Sequence, residues 1–80
     1  MDIRQTVGDN IKAIRHIRKM TLEDLSRVTK MSRTYINDIE LGKKAITVVR
    51  LERIAKALKI KPGILLAPKA YELMGKSQAT

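Results

Sequence analysis

The spacing of the aliphatic residues is the feature that most restricts what this chain can fold into. Ile3, Val7, Ile11, Ile14 and Ile17 follow one another at steps of four, four, three and three, which is the period of one stripe along an α-helix. No later segment alternates apolar and polar residues as a strand would. Among 80 residues there is no Phe or Trp and only two Tyr, so Ile, Leu and Val must build the core. We therefore predict an all-α fold.

Five segments are predicted to be helical, and residues that begin or end helices mark their boundaries. Thr21 and Asp24 match a capping box, in which each side chain bonds the backbone amide of the other. Ser32 suits an N-cap, Gly42 the left-handed position after a helix, and Pro62 a first turn. The predicted helices are a first one ending near residue 20, followed by 22–29, 33–41, 48–58 and a short one at 62–66.

The composition restricts the partners and the chemistry of the chain. Seventeen Lys and Arg against eight Asp and Glu give a net charge of +9, which favours nucleic acid as a partner over an acidic protein or an anionic membrane. The absence of Cys excludes disulfides, thiolate metal sites and cysteine catalysis. With one His and no catalytic motif, we expect neither an enzyme nor a metal or cofactor. Without a membrane span or a secretory signal, we expect a cytoplasmic protein.

Two short helices joined by about three residues in a basic all-helical chain predict a helix-turn-helix. The second of them, 33–41, is the candidate recognition helix, since the major groove of B-DNA admits one helix. Ile36 and Ile39 would face the core and leave polar side chains on the outer side. An arginine there can bond guanine and an asparagine adenine. The candidate base contacts are Arg33, Thr34, Asn37 and Asp38.

A second set of residues is predicted to contact phosphates. Lys43 and Lys44 directly follow the candidate recognition helix. Thr21 and Ser32 open the two helices of the motif, and the free amides at helix N-termini bind anions. Such contacts fix the position of a protein on a duplex without reading its sequence.

The segments 20–26, 32–44 and 51–58 together resemble the phage repressor and Cro-like (XRE-type) helix-turn-helix family. The start Arg33-Thr34-Tyr35-Ile36 is similar to that of the controller proteins of restriction–modification systems. The resemblance covers residues 7–66 and implies a compact five-helix domain. It also implies a transcriptional regulator that binds a palindromic operator in double-stranded DNA as a homodimer.

The resemblance also implies roles for particular residues. The Tyr35 hydroxyl would reach a phosphate or a base edge, and Arg15 would form a partly buried ion pair with Glu40. The family commonly has Gly at the positions of Lys19 and Lys30, where φ is often positive, so some backbone strain is expected there. Leu22 replaces a Gln that often touches phosphate.

Several roles remain open at this point. Arg33 could instead pair with Asp38 or Asn37 on the surface, and Tyr35 could pack on Leu22 or Met31. The basic residues of the first predicted helix could be a solvated face. No small-molecule effector is expected.

The domain boundaries and the mode of association are predicted as follows. Residues 1–67 would form the DNA-binding domain with a dimerisation helix, and 68–80 a partly disordered extension. An alternative function is that of an antitoxin or another protein-interaction regulator, with the extension binding a partner. An apolar cluster near the C-terminus is the candidate dimer interface, although it could also be ordinary core: Ile60, Ile64, Leu65 and Leu66.

Overall fold

The computed structural model describes residues 2–79 of the chain, and the side chains of residues 2–74. Within that range the chain forms five α-helices and one 3₁₀ helix, and no strand. The predicted all-α fold is confirmed. The α-helices are α1 (Ile3–Ile17), α2 (Leu22–Thr29), α3 (Arg33–Glu40), α4 (Val48–Leu58) and α5 (Ala70–Ala79), with the 3₁₀ helix at Pro62–Leu66. None of the helices in the described part is long and apolar enough to span a membrane.

The predicted caps are present and determine where the helices start. The Thr21 hydroxyl accepts a hydrogen bond from the Asp24 amide at 2.9 Å, and the Asp24 carboxylate accepts one from the Thr21 amide at 2.9 Å. The bond from the Thr21 amide lowers the pKa of the Asp24 carboxyl below its ordinary value. The stabilisation from this hydrogen bond is therefore complete above the pKa that Asp24 has in the unfolded chain. It is lost as the pH falls through the pKa of Asp24 in the folded protein.

The core lies between α1, α2, α3, α4 and the 3₁₀ helix, and it is built mainly from aliphatic side chains. Ile11, Ile14, Ile36, Ile54 and Leu58 have no exposed surface. Ile39 is buried as well, so both isoleucines of α3 point inward as predicted. The outer side of α3 is therefore left to its polar residues.

Helix α1 approaches the end of α3 so closely that Gly8, the residue of α1 at the contact, has no room for a side chain. A Cβ atom at Gly8 would overlap the carbonyl oxygen of Ile39 and lie 2.7 Å from that of Glu40. Backbone atoms cannot yield as a flexible side chain can. Gly8 thus allows α1 to support the C-terminal end of α3, a contact that the spacing of apolar residues did not predict.

The left-handed backbone predicted at two lysines is present. Lys19 has a φ of 57° and Lys30, the C-cap of α2, has a φ of 59°. Lys59 and Lys69 adopt the same conformation, with φ values of 61° and 55°. Such a conformation costs an L-residue about 1–2 kcal/mol, because Cβ comes close to the carbonyl oxygen.

Replacing Lys30 with Gly should therefore stabilise the protein. We expect the free energy of unfolding to rise by about 0.5–1 kcal/mol, since relief of the strain exceeds the extra freedom of glycine in the unfolded chain. Urea denaturation followed by circular dichroism measures the change. Lys12→Gly, at an exposed position inside α1, is the matched control and should lose about 1 kcal/mol. A Lys30→Gly protein no more stable than the wild type would show that the turn is not strained.

The segment Pro62–Leu66 forms the predicted fifth helix in a tighter geometry than an α-helix, and it places one residue of the predicted dimer cluster, Leu65, in the core. It is a 3₁₀ helix, in which three consecutive side chains point in three directions. Leu65 points into the core and has 0 % of its surface exposed, whereas Leu66 has 45 % exposed. Leu65 therefore belongs to the protomer's own core and not to a dimer surface. Ile60 and Ile64 are half-buried against that core.

Asn10 holds this segment against α1. Its buried side-chain amide donates hydrogen bonds to the carbonyl oxygens of Leu65, at 3.0 Å, and Ala67, at 2.7 Å. Buried carbonyl groups that lose such partners are costly. The hydrogen bonds of Asn10 thus satisfy backbone groups that a short 3₁₀ helix leaves free.

The C-terminal region contains a helix beyond the five that were predicted. The backbone of Ala70–Ala79 forms α5, which packs against α1. Tyr71 and Met74 lie half-buried against the core. Partial disorder was predicted for 68–80, but the side chains from residue 75 onward and the whole of Thr80 lie outside the described residues.

Candidate nucleic-acid interface

The outer face of α3 carries the residues predicted to contact bases. Arg33, Thr34 and Asn37 are exposed, and Asp38 is half-buried. They occupy the side of α3 opposite Ile36 and Ile39. The structure therefore brings the four side chains together on one face, with hydrogen-bond donors and acceptors directed to the outside.

Arg33 is held only loosely. Its guanidinium lies 3.8 Å from the carboxylate of Glu23 on α2, and both side chains are largely exposed. The partner is thus Glu23 and not Asp38 or Asn37, the two that the sequence suggested. Exposed pairs of this kind contribute about 0–1 kcal/mol. Arg33 can therefore leave Glu23 for a stronger acceptor at little cost.

Asp38 has a partner of its own. Its carboxylate lies 3.5 Å from the ammonium group of Lys44, in the loop after α3. This ion pair holds one of the two predicted phosphate-binding lysines beside α3. Lys43 is exposed and precedes it in the same loop.

The hydroxyl groups of Thr21 and Ser32 act as helix caps. The Ser32 hydroxyl accepts a hydrogen bond from the Tyr35 amide at 3.1 Å, as Thr21 does from the Asp24 amide. A hydroxyl keeps its own hydrogen as a donor when it accepts. Both residues are exposed, so that donor is available at the start of α2 and of α3.

The predicted ion pair between Arg15 and Glu40 is formed and is buried. The two guanidinium nitrogens lie 2.8 Å and 3.1 Å from the two carboxylate oxygens. Only 7 % and 3 % of the side chains are exposed. A third nitrogen of Arg15 donates to the carbonyl oxygen of Met20 at 3.0 Å. The pair thus joins α1, the end of α3 and the segment before α2, and it fixes α3 in place.

Tyr35 lies between the core and two cations, of which Lys44 was predicted as a phosphate contact and Arg50 was not. Its half-buried ring packs against the core. The guanidinium of Arg50 lies 4.9 Å from the ring centroid, and the ammonium of Lys44 lies 5.8 Å from it. Cations at these distances are attracted to the ring face. The only signal in the sequence was the pair Arg50 and Arg53, three residues apart on one side of a helix.

The distribution of charge matches contact with a polyanion. Exposed cations lie around α3, on the turn before it, the loop after it and α4. Among the described residues, no three His, Cys, Asp or Glu side chains come close enough to hold a metal ion.

Comparison with known proteins places this arrangement in a family. The family model described as helix-turn-helix matches residues 11–65. The chain is 36 % identical over 66 residues to control protein C.BamHI from Bacillus amyloliquefaciens, covering 81 % of this chain and 82 % of that protein. It is 33 % identical over 58 residues to control protein C.SmaI from Serratia marcescens, covering 72 % and 69 %.

A solved structure is similar along the whole chain. It is that of the restriction–modification controller protein C.Esp1396I, as a tetramer in complex with its natural 35-base-pair operator. The two chains are 30 % identical and superpose with a TM-score of 0.74, over 100 % of this chain and 99 % of that one. Because the family model spans more than half of the chain, and because the fold agrees, this protein belongs to the XRE-type helix-turn-helix family, in which the control proteins of restriction–modification systems are its relatives.

Proposed function

We propose that this protein is a transcriptional regulator that binds a palindromic operator in double-stranded DNA as a homodimer. The observation that carries the proposal is the outer face of α3, where Arg33, Thr34 and Asn37 stand exposed on a helix whose other side is buried. The relatives named above are control proteins, and one of them is bound to its operator. Binding, and not catalysis, is the proposed activity, and we propose that it takes place in the cytoplasm.

The side chains of α3 would read the base edges of the major groove. Arg33 would donate two hydrogen bonds to a guanine, and Asn37 would bond an adenine. Thr34 can place its methyl group against thymine, and Asp38 can accept from cytosine. A well-formed bidentate pair discriminates against a wrong base by about 1–3 kcal/mol, so two or three of these contacts in each subunit give useful selectivity.

Phosphate contacts would fix α3 in the groove. Lys43 and Lys44 offer ammonium groups after α3, and Thr21 and Ser32 offer hydroxyl hydrogens at the two helix starts. The hydroxyl of Tyr35 would reach a phosphate or a base edge from the first turn of α3. These contacts add affinity that is equal for all sequences and falls with salt.

We place the dimer surface around Leu66, in place of the buried Leu65. Leu66, Ile3 and Val48 are exposed aliphatic residues that line one shallow apolar cavity, beside the end of α3. Two copies joined near that end can turn their α3 helices to the same side, as half-sites about 34–36 Å apart require. Dimerisation and operator occupancy then rise together with protein concentration, so we propose regulation without a small-molecule effector.

Arg33→Ala and Lys43→Ala should weaken binding in different ways. Selection from a randomised duplex pool should return a two-fold symmetric consensus with the wild type. Arg33→Ala should lose about 1–3 kcal/mol of discrimination at one position of each half-site, and Lys43→Ala should weaken all sequences alike. Fluorescence anisotropy on single-base variants of the selected duplex measures both effects. A pool without any consensus, or two variants with the same behaviour, would contradict sequence-specific binding and favour a protein-interaction role.

A further inference from the structure

A cationic cleft lies between α4 and the turn before α3, and its three cations are not among the residues assigned above to DNA. Lys30, Arg50 and Arg53 line it together with Ser32, Met31 and Tyr35. Lys30 comes from the turn, and the two arginines come from α4. We call this group of six residues the α4 cleft. Its side chains combine three positive charges with two hydroxyl groups.

The cations of the cleft are exposed and lack acidic partners. No carboxylate lies within ion-pair distance of Lys30, Arg50 or Arg53 among the side chains of residues 2–74. Five other basic residues in the same range do have such partners: Arg4, Arg15, Arg27, Arg33 and Lys44. The charge of the cleft is therefore not neutralised within the protein.

Packing nevertheless fixes where these cations stand. The left-handed backbone of Lys30 sets the direction of the turn. Arg53 reaches the carbonyl oxygen of Thr29 at 3.5 Å, and Arg50 lies 4.9 Å from the centroid of the Tyr35 ring. Leu51 and Ile54 are buried, which turns Arg50 and Arg53 to one flank of α4. Glu52 lies on the other flank. A held arginine loses less conformational freedom on binding an anion.

We propose that the α4 cleft binds a backbone phosphate of DNA, with Arg50 and Arg53 as its main ligands. This inference rests on the proposed function and adds α4 to the DNA-binding surface. A guanidinium donates two parallel hydrogen bonds to a phosphate, which makes arginine the side chain suited to this ligand. Lys30 adds charge, and Ser32 and Tyr35 add hydroxyl donors at the start of α3. The phosphate would therefore lie beside the end of α3 that carries Arg33.

The cleft also continues the cations already assigned to phosphate. The ring of Tyr35 has Arg50 near it on the α4 side and Lys44 near it from the loop after α3. Arg53, Arg50, Tyr35 and Lys44 thus form one strip along the surface. A strip of this kind can follow a single DNA strand over successive phosphates.

The test compares Arg50→Gln and Arg53→Gln with Lys12→Gln. Lys12 is exposed on α1, in a surface groove that shares no residue with the α4 cleft, so it controls for the loss of one positive charge. Operator binding is measured by fluorescence anisotropy at several salt concentrations, with circular dichroism to verify the fold. Each arginine variant should make the negative slope of log K against log salt shallower by about 0.9 per subunit, because one phosphate contact is lost. It should leave the consensus unchanged, and Lys12→Gln should match the wild type.

Equal slopes for the two arginine variants, Lys12→Gln and the wild type would overturn the proposal. An Arg50→Gln protein with an altered consensus and an unchanged slope would also overturn the phosphate role of Arg50, and would assign Arg50 to positioning Tyr35. If the proposed function is wrong, the wild-type protein selects no consensus, which is a different result from equal slopes. In that event, the salt slopes measured on a duplex of random sequence would still show whether the α4 cleft binds a phosphate.

Discussion

Replacing Glu40 with Leu should lower the free energy of unfolding by about 3–5 kcal/mol, because it leaves the charge of Arg15 buried without a partner. Only 7 % of the Arg15 side chain is exposed, and two of its nitrogens lose their acceptors. Domains of this size are stable by about 5–15 kcal/mol in total. The variant should therefore unfold at a much lower urea concentration than the wild type, as followed by circular dichroism at 222 nm, a wavelength at which the helices absorb.

Two further variants separate the buried charge from a general effect of substitution. Glu23→Leu breaks the exposed pair with Arg33 and should cost less than about 1 kcal/mol. The double variant Arg15→Met/Glu40→Leu removes both charges and should regain most of the stability, since apolar residues of similar volume often replace a buried pair without loss. A double variant as unstable as Glu40→Leu alone would show that packing, and not the unpaired charge, determines the cost.

The four helices from α1 to α4 could be predicted because their boundaries depend on nearby residues. The capping box at Thr21 and Asp24 and the N-cap at Ser32 act within three residues along the chain. The inward direction of Ile36 and Ile39 follows from helical spacing alone. The pair between Arg15 and Glu40 is 25 residues apart in sequence, and only the family resemblance indicated it.

The features that could not be predicted from the sequence depend on contacts between segments that are far apart along the chain. The side chain of Asn10 lies 55 residues from Leu65, whose carbonyl oxygen it binds. A five-residue segment alone does not show whether it forms an α-helix or a 3₁₀ helix, and the choice decides whether Leu65 or Leu66 faces solvent. The position of Arg50 over Tyr35 likewise requires α4 to pack against α2 and α1, which no local pattern records.

Leu66→Asp should convert the protein into a folded monomer and weaken operator binding by about 10²–10⁴-fold. Leu66 has 45 % of its surface exposed and shares an apolar cavity with Val48, which has 81 % exposed. A charge at Leu66 costs the single subunit little, but it would be desolvated in a dimer. The loss of affinity is large because two linked half-site contacts bind far more tightly than one. Sedimentation velocity distinguishes the monomer from the dimer, and fluorescence anisotropy measures the affinity for the operator.

Three more substitutions locate the interface. Val48→Asp should have the same effect as Leu66→Asp, because both residues line the same cavity. Leu73→Asp, at an exposed position on α5, should leave the dimer intact. Leu65→Asp should instead prevent folding, since it places a charge in the core. If Leu66→Asp and Val48→Asp both remain dimers and Leu73→Asp becomes a monomer, the subunits meet through α5 and not beside the end of α3. The half-site spacing would then need to be measured anew, because it depends on where the subunits join.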